Sequence, residues 1–85
     1  MMQPSIARSA RQVGRQVQRI RLEKGLNQTE LAHLSGQRQE MISKIETGQS
    51  GVKLTTLFDI LAALGLEMSL SPRSQSSPAD IEDIF

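Results

Sequence analysis

The sequence predicts an all-α bundle of four to five short helices, closed by one C-terminal strand that pairs across a homodimer. Three observations predict it. Apolar residues recur at helical spacing in four stretches, each stopped at a Gly. The middle two, within residues 27–48, are short and joined by a tight turn. At residues 66–71 the apolar period drops from 3.6 to 2, which is strand spacing. A chain of 85 residues makes one small domain, which buries only roughly 60–65% of its unfolded surface and gains from dimerising. Residues 1–8 are expected to be a flexible N-terminus, 9–71 the folded domain, and 72–85 a flexible acidic tail.

The first helix is expected to begin at Ser5 or Ser9 and to run to Lys24, with Gly25 ending it. Ile6, Ala10, Val13, Val17 and Ile20 step by fours and threes, one face of an amphipathic helix. Gly14 inside that helix costs about 1 kcal/mol relative to Ala, which a close approach by a neighbouring helix would explain. Arg8, Arg11, Arg15, Arg19 and Arg21 cover the remaining surface, open to phosphate or to solvent.

Asn27 is placed to cap the second helix, with Glu30 where a capping box needs its carboxylate. That helix is expected over 28–35, with Leu31, Ala32 and Ser35 on one face and Gly36 as its left-handed stop. The third helix begins near Arg38. It buries Met41, Ile42 and Ile45, leaves Arg38, Gln39, Glu40, Ser43 and Lys44 exposed, and closes at Thr47-Gly48. Alone, such a face is more often a solvated surface. A preceding helix of about two turns and a Gly in the turn match the helix-turn-helix arrangement, whose second helix enters the major groove. There Gln suits adenine and Arg suits guanine.

Residues 49–53 read as a loop, and 54–64 as the most apolar helix, carrying Leu54, Leu57, Phe58, Ile60, Leu61 and Leu64. Its surplus apolar surface is available to a second subunit. In the strand, Leu66, Met68 and Leu70 share one face. A strand has no internal hydrogen-bond partners, so the same strand of a second copy is the expected mate, giving a two-fold dimer. The other possibility is an extended tail packed on the core. Beyond it, Ile81, Ile84 and Phe85 sit among Asp80, Glu82 and Asp83, a composition suited to a basic partner surface with an apolar pocket.

Net charge is +1, unevenly spread. Residues 1–53 carry nine Lys and Arg against four Glu, whereas 54–85 carry one Arg against five acids. The basic half suits phosphate, where each neutralised charge releases counterions. With no Cys there is no disulfide or thiolate metal site, and the lone His33 is expected on a helix surface. No nucleophile, paired acid or phosphate cradle stands at a telling spacing, so no catalytic residue, metal, cofactor or small-molecule substrate is expected. The first residues lack an apolar signal core, and no run reaches membrane-spanning length, so a soluble, cytoplasmic protein is expected.

As a set, Val13-Gly14, Arg21, residues 24–32, Gly36, Gln39, Ile42-Ser43, Ile45-Glu46, Gly48 and residues 54–66 resemble the helix-turn-helix family of phage repressors and Xre-type regulators. The resemblance covers about residues 9–66. It implies a lambda-repressor-like bundle. Residues 64–73 further resemble the HipB-type antitoxins, which dimerise through a strand after the last helix, bind a HipA-type kinase toxin and repress their own operon. Residue by residue, the resemblance puts Arg38, Gln39, Glu40 and Ser43 at DNA bases, and Gln28, Lys44, Thr47 and Lys53 at phosphates. It makes Arg21 and Glu46 a buried pair. It implies palindromic double-stranded operator DNA, a homodimer and a HipA-like toxin as partners, the toxin meeting Ile81, Ile84 and Phe85. The chain departs from the family at Glu40 and Met41, where small residues are common, and in ending on Phe85 where the family tail commonly carries Trp. At Glu40, cytosine N4 is the base donor left open. Two other readings stand beside this one: a stand-alone Xre-type repressor without a toxin, and a helical protein-interaction adaptor that touches no DNA.

Overall fold

Ser9 sets where the first helix begins. Its backbone is extended and its hydroxyl accepts the Gln12 backbone N–H at 3.1 Å, supplying one of the partners a helix N-terminus lacks. The computed structural model describes residues 6–73, with α1 at Ala10–Glu23, α2 at Gln28–Ser35, α3 at Gln39–Glu46 and α4 at Leu54–Ala63. Ile6 therefore lies outside α1 and is 68% exposed, and Ala10 is also exposed. The buried stripe of α1 is shorter than its sequence period implied. It consists of Val17 and Ile20, with Val13 half-buried.

α2 starts as its residues require. The Asn27 side chain accepts the Glu30 N–H at 2.7 Å, and the Glu30 carboxylate accepts the Asn27 N–H at 2.8 Å. Gly36, at φ 72°, ends α2 in a conformation that costs a residue with a Cβ, and the Gln37 N–H then closes on the Ala32 carbonyl at 2.9 Å. The Gln37 side chain reaches across to Asp59 of α4 at 2.9 Å. This turn is thereby fastened to the helix behind it.

All four helices feed one core. Val17, Ile20, Leu31, Ala32, Ile42, Ile45, Ile60, Leu61 and Leu64 are buried, and α3 packs on α1 and α2 while α4 packs on α2. At Gly14 the approach of α1 to α3 reaches backbone contact: an added Cβ would lie 2.8 Å from the Glu46 carbonyl oxygen and closer still to that of Ile45.

Surplus apolar surface remains on α4, where Leu54 is 60% and Phe58 45% exposed. Among the described residues no strand is formed. After the Leu66 N–H bonds the Leu61 carbonyl, residues 67–73 run exposed. Leu66 is half-buried and packs against the core, whereas Met68 is exposed and Leu70 is 92% exposed, so the segment beyond Leu66 does not pack on it. A strand here needs a backbone mate that one copy does not offer. The tail residues Ile81, Ile84 and Phe85, with all positions beyond 73, lie outside the described residues.

Because its missing side chain is what admits α3, Gly14→Ala is expected to destabilise the fold by about 1–3 kcal/mol through overpacking. Urea unfolding monitored by circular dichroism checks this. An unchanged midpoint would mean that the backbone contact yields freely.

Candidate nucleic-acid interface

α3 is amphipathic by its sequence, and its two faces have different chemistry. Ile42, Ile45 and Glu46 are buried, whereas Arg38, Gln39, Glu40, Lys44 and Thr47 are exposed, with Ser43 between them. Arg38 occupies the N-cap position with extended backbone, makes no side-chain cap bond, and is exposed at the helix start. Base-reading side chains come from that end of a recognition helix.

The buried end of α3 carries the ion pair that orients it. Arg21 Nε and Nη2 donate to the two Glu46 carboxylate oxygens at 2.6 and 3.0 Å, and Arg21 Nη1 donates to the Leu26 carbonyl at 2.8 Å. Both residues are only 6% exposed. The hydrogen bond that Arg21 donates to Glu46 raises the Arg21 pKa above its ordinary value; desolvation opposes this, and the Coulomb attraction of Glu46 adds to it. A raised folded pKa stabilises below the unfolded value and is lost only as pH climbs through the folded one. The pair's contribution from Arg21 is therefore complete at neutral pH and fails only in strong alkali.

From this pair a chain of amides runs to the surface. Gln28 Nε2 donates to Glu46 Oε1 at 3.0 Å, and Gln39 Nε2 donates to Gln28 Oε1 at 2.6 Å. Because a carboxylate only accepts, Glu46 fixes which way the Gln28 amide faces, and Gln28 in turn fixes Gln39. Gln39 is left with one N–H and its carbonyl oxygen free of partners among the described residues. A donor beside an acceptor is the pattern that matches the N7 and N6 edge of adenine.

The other expected contacts fall around this helix. Gln28 is half-buried and engaged at both amide atoms, leaving one N–H for a phosphate. Lys44 and Lys53 are exposed. The Thr47 hydroxyl donates to the Ser43 carbonyl at 2.9 Å, so it reaches a phosphate only by turning away. Arg11 of α1 borders the same surface, its Cα lying 2.7 Å from where a Cβ on Gly48 would sit, and its side chain is exposed. Sequence reasoning left Arg11 among five interchangeable arginines; only its place beside Gly48 singles it out. It also treated Gln28 and Gln39 separately, although each is the first residue of its helix.

Nearby, an apolar groove of about 230 Å³ between α1, α3 and the loop before α4 is lined by Val13, Ile45, Val52, Leu54 and Leu57, with Ser50 and Lys53 at hand but no carboxylate or imidazole. His33 is exposed. Among the described residues no helix is long and apolar enough to cross a membrane.

A family model for the helix-turn-helix domain matches residues 17–70. The antitoxin HipB of Escherichia coli K12 is 35% identical over 74 residues, covering 87% of this chain and 84% of HipB. An uncharacterised HTH-type transcriptional regulator of Haemophilus influenzae is 46% identical over 48 residues, covering 56% of this chain and about half, 49%, of that protein. Among solved structures, a chain of a HipA-HipB-O2-O3 complex superimposes with a TM-score of 0.77 at 32% identity, covering 84% of this chain and all, 100%, of the other.

Removing either partner of the buried pair strands a charge. Arg21→Met and Glu46→Leu are each expected to cost about 3–5 kcal/mol, and the double substitution less than their sum. Denaturant melts of the three variants check this. Strict additivity would mean the two groups do not depend on each other.

Proposed function

The chain belongs to the helix-turn-helix family of DNA-binding transcriptional regulators and is homologous to the HipB antitoxins, and on that premise we propose that it is a sequence-specific autorepressor. In this reading it is also the antitoxin that neutralises a HipA-like kinase toxin, acting in the cytoplasm as a regulator and not as an enzyme. The observation that carries the reading is the amide chain from Glu46 through Gln28 to Gln39, which aims a donor and acceptor pair outward from the start of α3.

Arg38, Gln39, Glu40 and Ser43 read bases, while Gln28, Lys44, Thr47 and Lys53 hold phosphates. The concentration of positive charge in residues 1–53 supports that division. Residues 9–71 form the DNA-binding and dimerising domain. Two copies meet through Leu66, Met68 and Leu70, aided by the exposed Leu54 and Phe58 of α4, and so span a palindromic operator. The acidic tail, 72–85, serves the toxin through Ile81, Ile84 and Phe85, since its carboxylates would be repelled by DNA. The match at 46% identity to a regulator that is not named an antitoxin favours one second reading, a repressor that works without a toxin. A gene for a kinase-like protein beside this one separates the two.

Gln39→Ala should cost about 1–3 kcal/mol on the palindrome upstream of its own gene and little on random DNA. Fluorescence anisotropy with both duplexes measures this, and equal losses would make Gln39 a phosphate contact. For the C-terminal half, Ser69→Pro removes a ladder donor. It should leave a monomer in sedimentation at micromolar concentration; a dimer that still binds two half-sites sinks the strand-pairing idea. A chain cut after Ser71 should keep its dimer and operator affinity and lose some affinity for the toxin in calorimetric titration. Unchanged toxin binding would strip the tail of its role.

A further inference from the structure

We propose that Glu40 reads a cytosine beside the base read by Gln39, and that it acts largely by rejecting every other base there. The inference rests on the reading that α3 enters the major groove. Glu40 is the second residue of α3, exposed, next to Gln39, whose amide is held through Gln28 by the buried Glu46. Among the described residues it makes no hydrogen bond and no ion pair, although Lys44 stands one turn further along the same helix. Apart from the weak, salt-screened attraction of the helix N-terminus for an acid in its first turn, the fold gives this carboxylate no partner.

Its chemistry then decides its partner. An ionised carboxylate only accepts, and in the groove it is flanked by phosphates that repel it. It is retained at low cost only against a donor on the groove floor. Two bases present one there, cytosine through N4 and adenine through N6. On adenine the donor sits beside N7, an acceptor that opposes the second carboxylate oxygen; on cytosine the neighbour is a C–H. Guanine offers two acceptors, and thymine an acceptor and a methyl group. Cytosine is the base whose edge matches. Since Gln28 holds Gln39 in place, the two adjacent residues address neighbouring base pairs in a fixed order, and Glu40 supplies discrimination that the neutral Gln39 does not.

The test is selection of half-sites from a randomised duplex pool by the full-length protein, by Gln39→Ala, by Glu40→Ala and by Glu40→Gln, followed by anisotropy on the four single-base variants. Wild type should enrich cytosine at a position adjacent to the one whose preference collapses in Gln39→Ala. Glu40→Ala should flatten that cytosine preference by roughly tenfold or more and leave the other positions as they were. Glu40→Gln, which gains a donor, should move the preference there toward adenine. If Glu40→Ala keeps every base preference and binds all duplexes more tightly, random ones included, the carboxylate merely opposes phosphates and the proposal falls. If wild type enriches positions but none of them responds to Gln39→Ala, the groove placement of α3 is what fails.

Discussion

The buried Arg21–Glu46 pair is the interaction on which the arrangement depends. Taking two charges out of water is expensive, and apolar residues of similar volume are often as stabilising or more so. Here the cost is offset by a two-point contact at 2.6 and 3.0 Å and by a third bond, to the Leu26 carbonyl at 2.8 Å. One guanidinium thereby joins α1, the turn before α2, and the end of α3. A leucine pair would fill the space, but it could not hold the amide of Gln28. What the charges add over packing is direction, because hydrogen bonds fix a rotation of α3 that van der Waals contact leaves looser.

That direction is passed outward. Glu46 sets Gln28, and Gln28 sets Gln39, so an oriented group at the surface is traceable to a charge in the core. Gly14 contributes by a different route, letting the α1 backbone lie against the Ile45 and Glu46 carbonyls. Charge then supplies what geometry does not. The basic excess of residues 1–53 draws the chain toward a polyanion, and the oriented side chains act only at close range. In the proposed reading, association and selectivity thus fall to different residues, with salt acting chiefly on the first.

Local chemistry was legible in the sequence. The Asn27 and Glu30 capping box, the Gly36 stop and the bounds of α2 need only neighbours within a few residues, and they stand as read. Gly14 was legible too, as a residue whose cost within a helix asks for a neighbour. The start of α1 was not settled, because Ser5 and Ser9 are both fit to cap; with Ser9 as the cap, Ile6 leaves the stripe. The bond between Gln28 and Gln39 was hidden, since it depends on how two helices cross and no spacing encodes that. The alternation at residues 66–71 was plain, yet no strand forms there, and the pairing proposed for it would involve a second copy, which leaves no signature within one chain. Glu40 was legible as a departure from the family pattern, and its isolation from Lys44 emerges only in three dimensions.

The measurement closest to the central claim is a nuclear magnetic resonance titration of the isotope-labelled chain with the palindromic duplex from upstream of its own gene. If the buried pair positions α3 for DNA, the side-chain amide signals of Gln28 and Gln39 and the backbone signals of residues 38–44 shift together. Raising the salt reverses the shifts, and Glu46→Gln, which weakens the anchor of Gln28, uncouples the two amides. Shifts confined to α4 and residues 66–73, with both glutamine amides unmoved, would contradict it and place any nucleic-acid contact elsewhere.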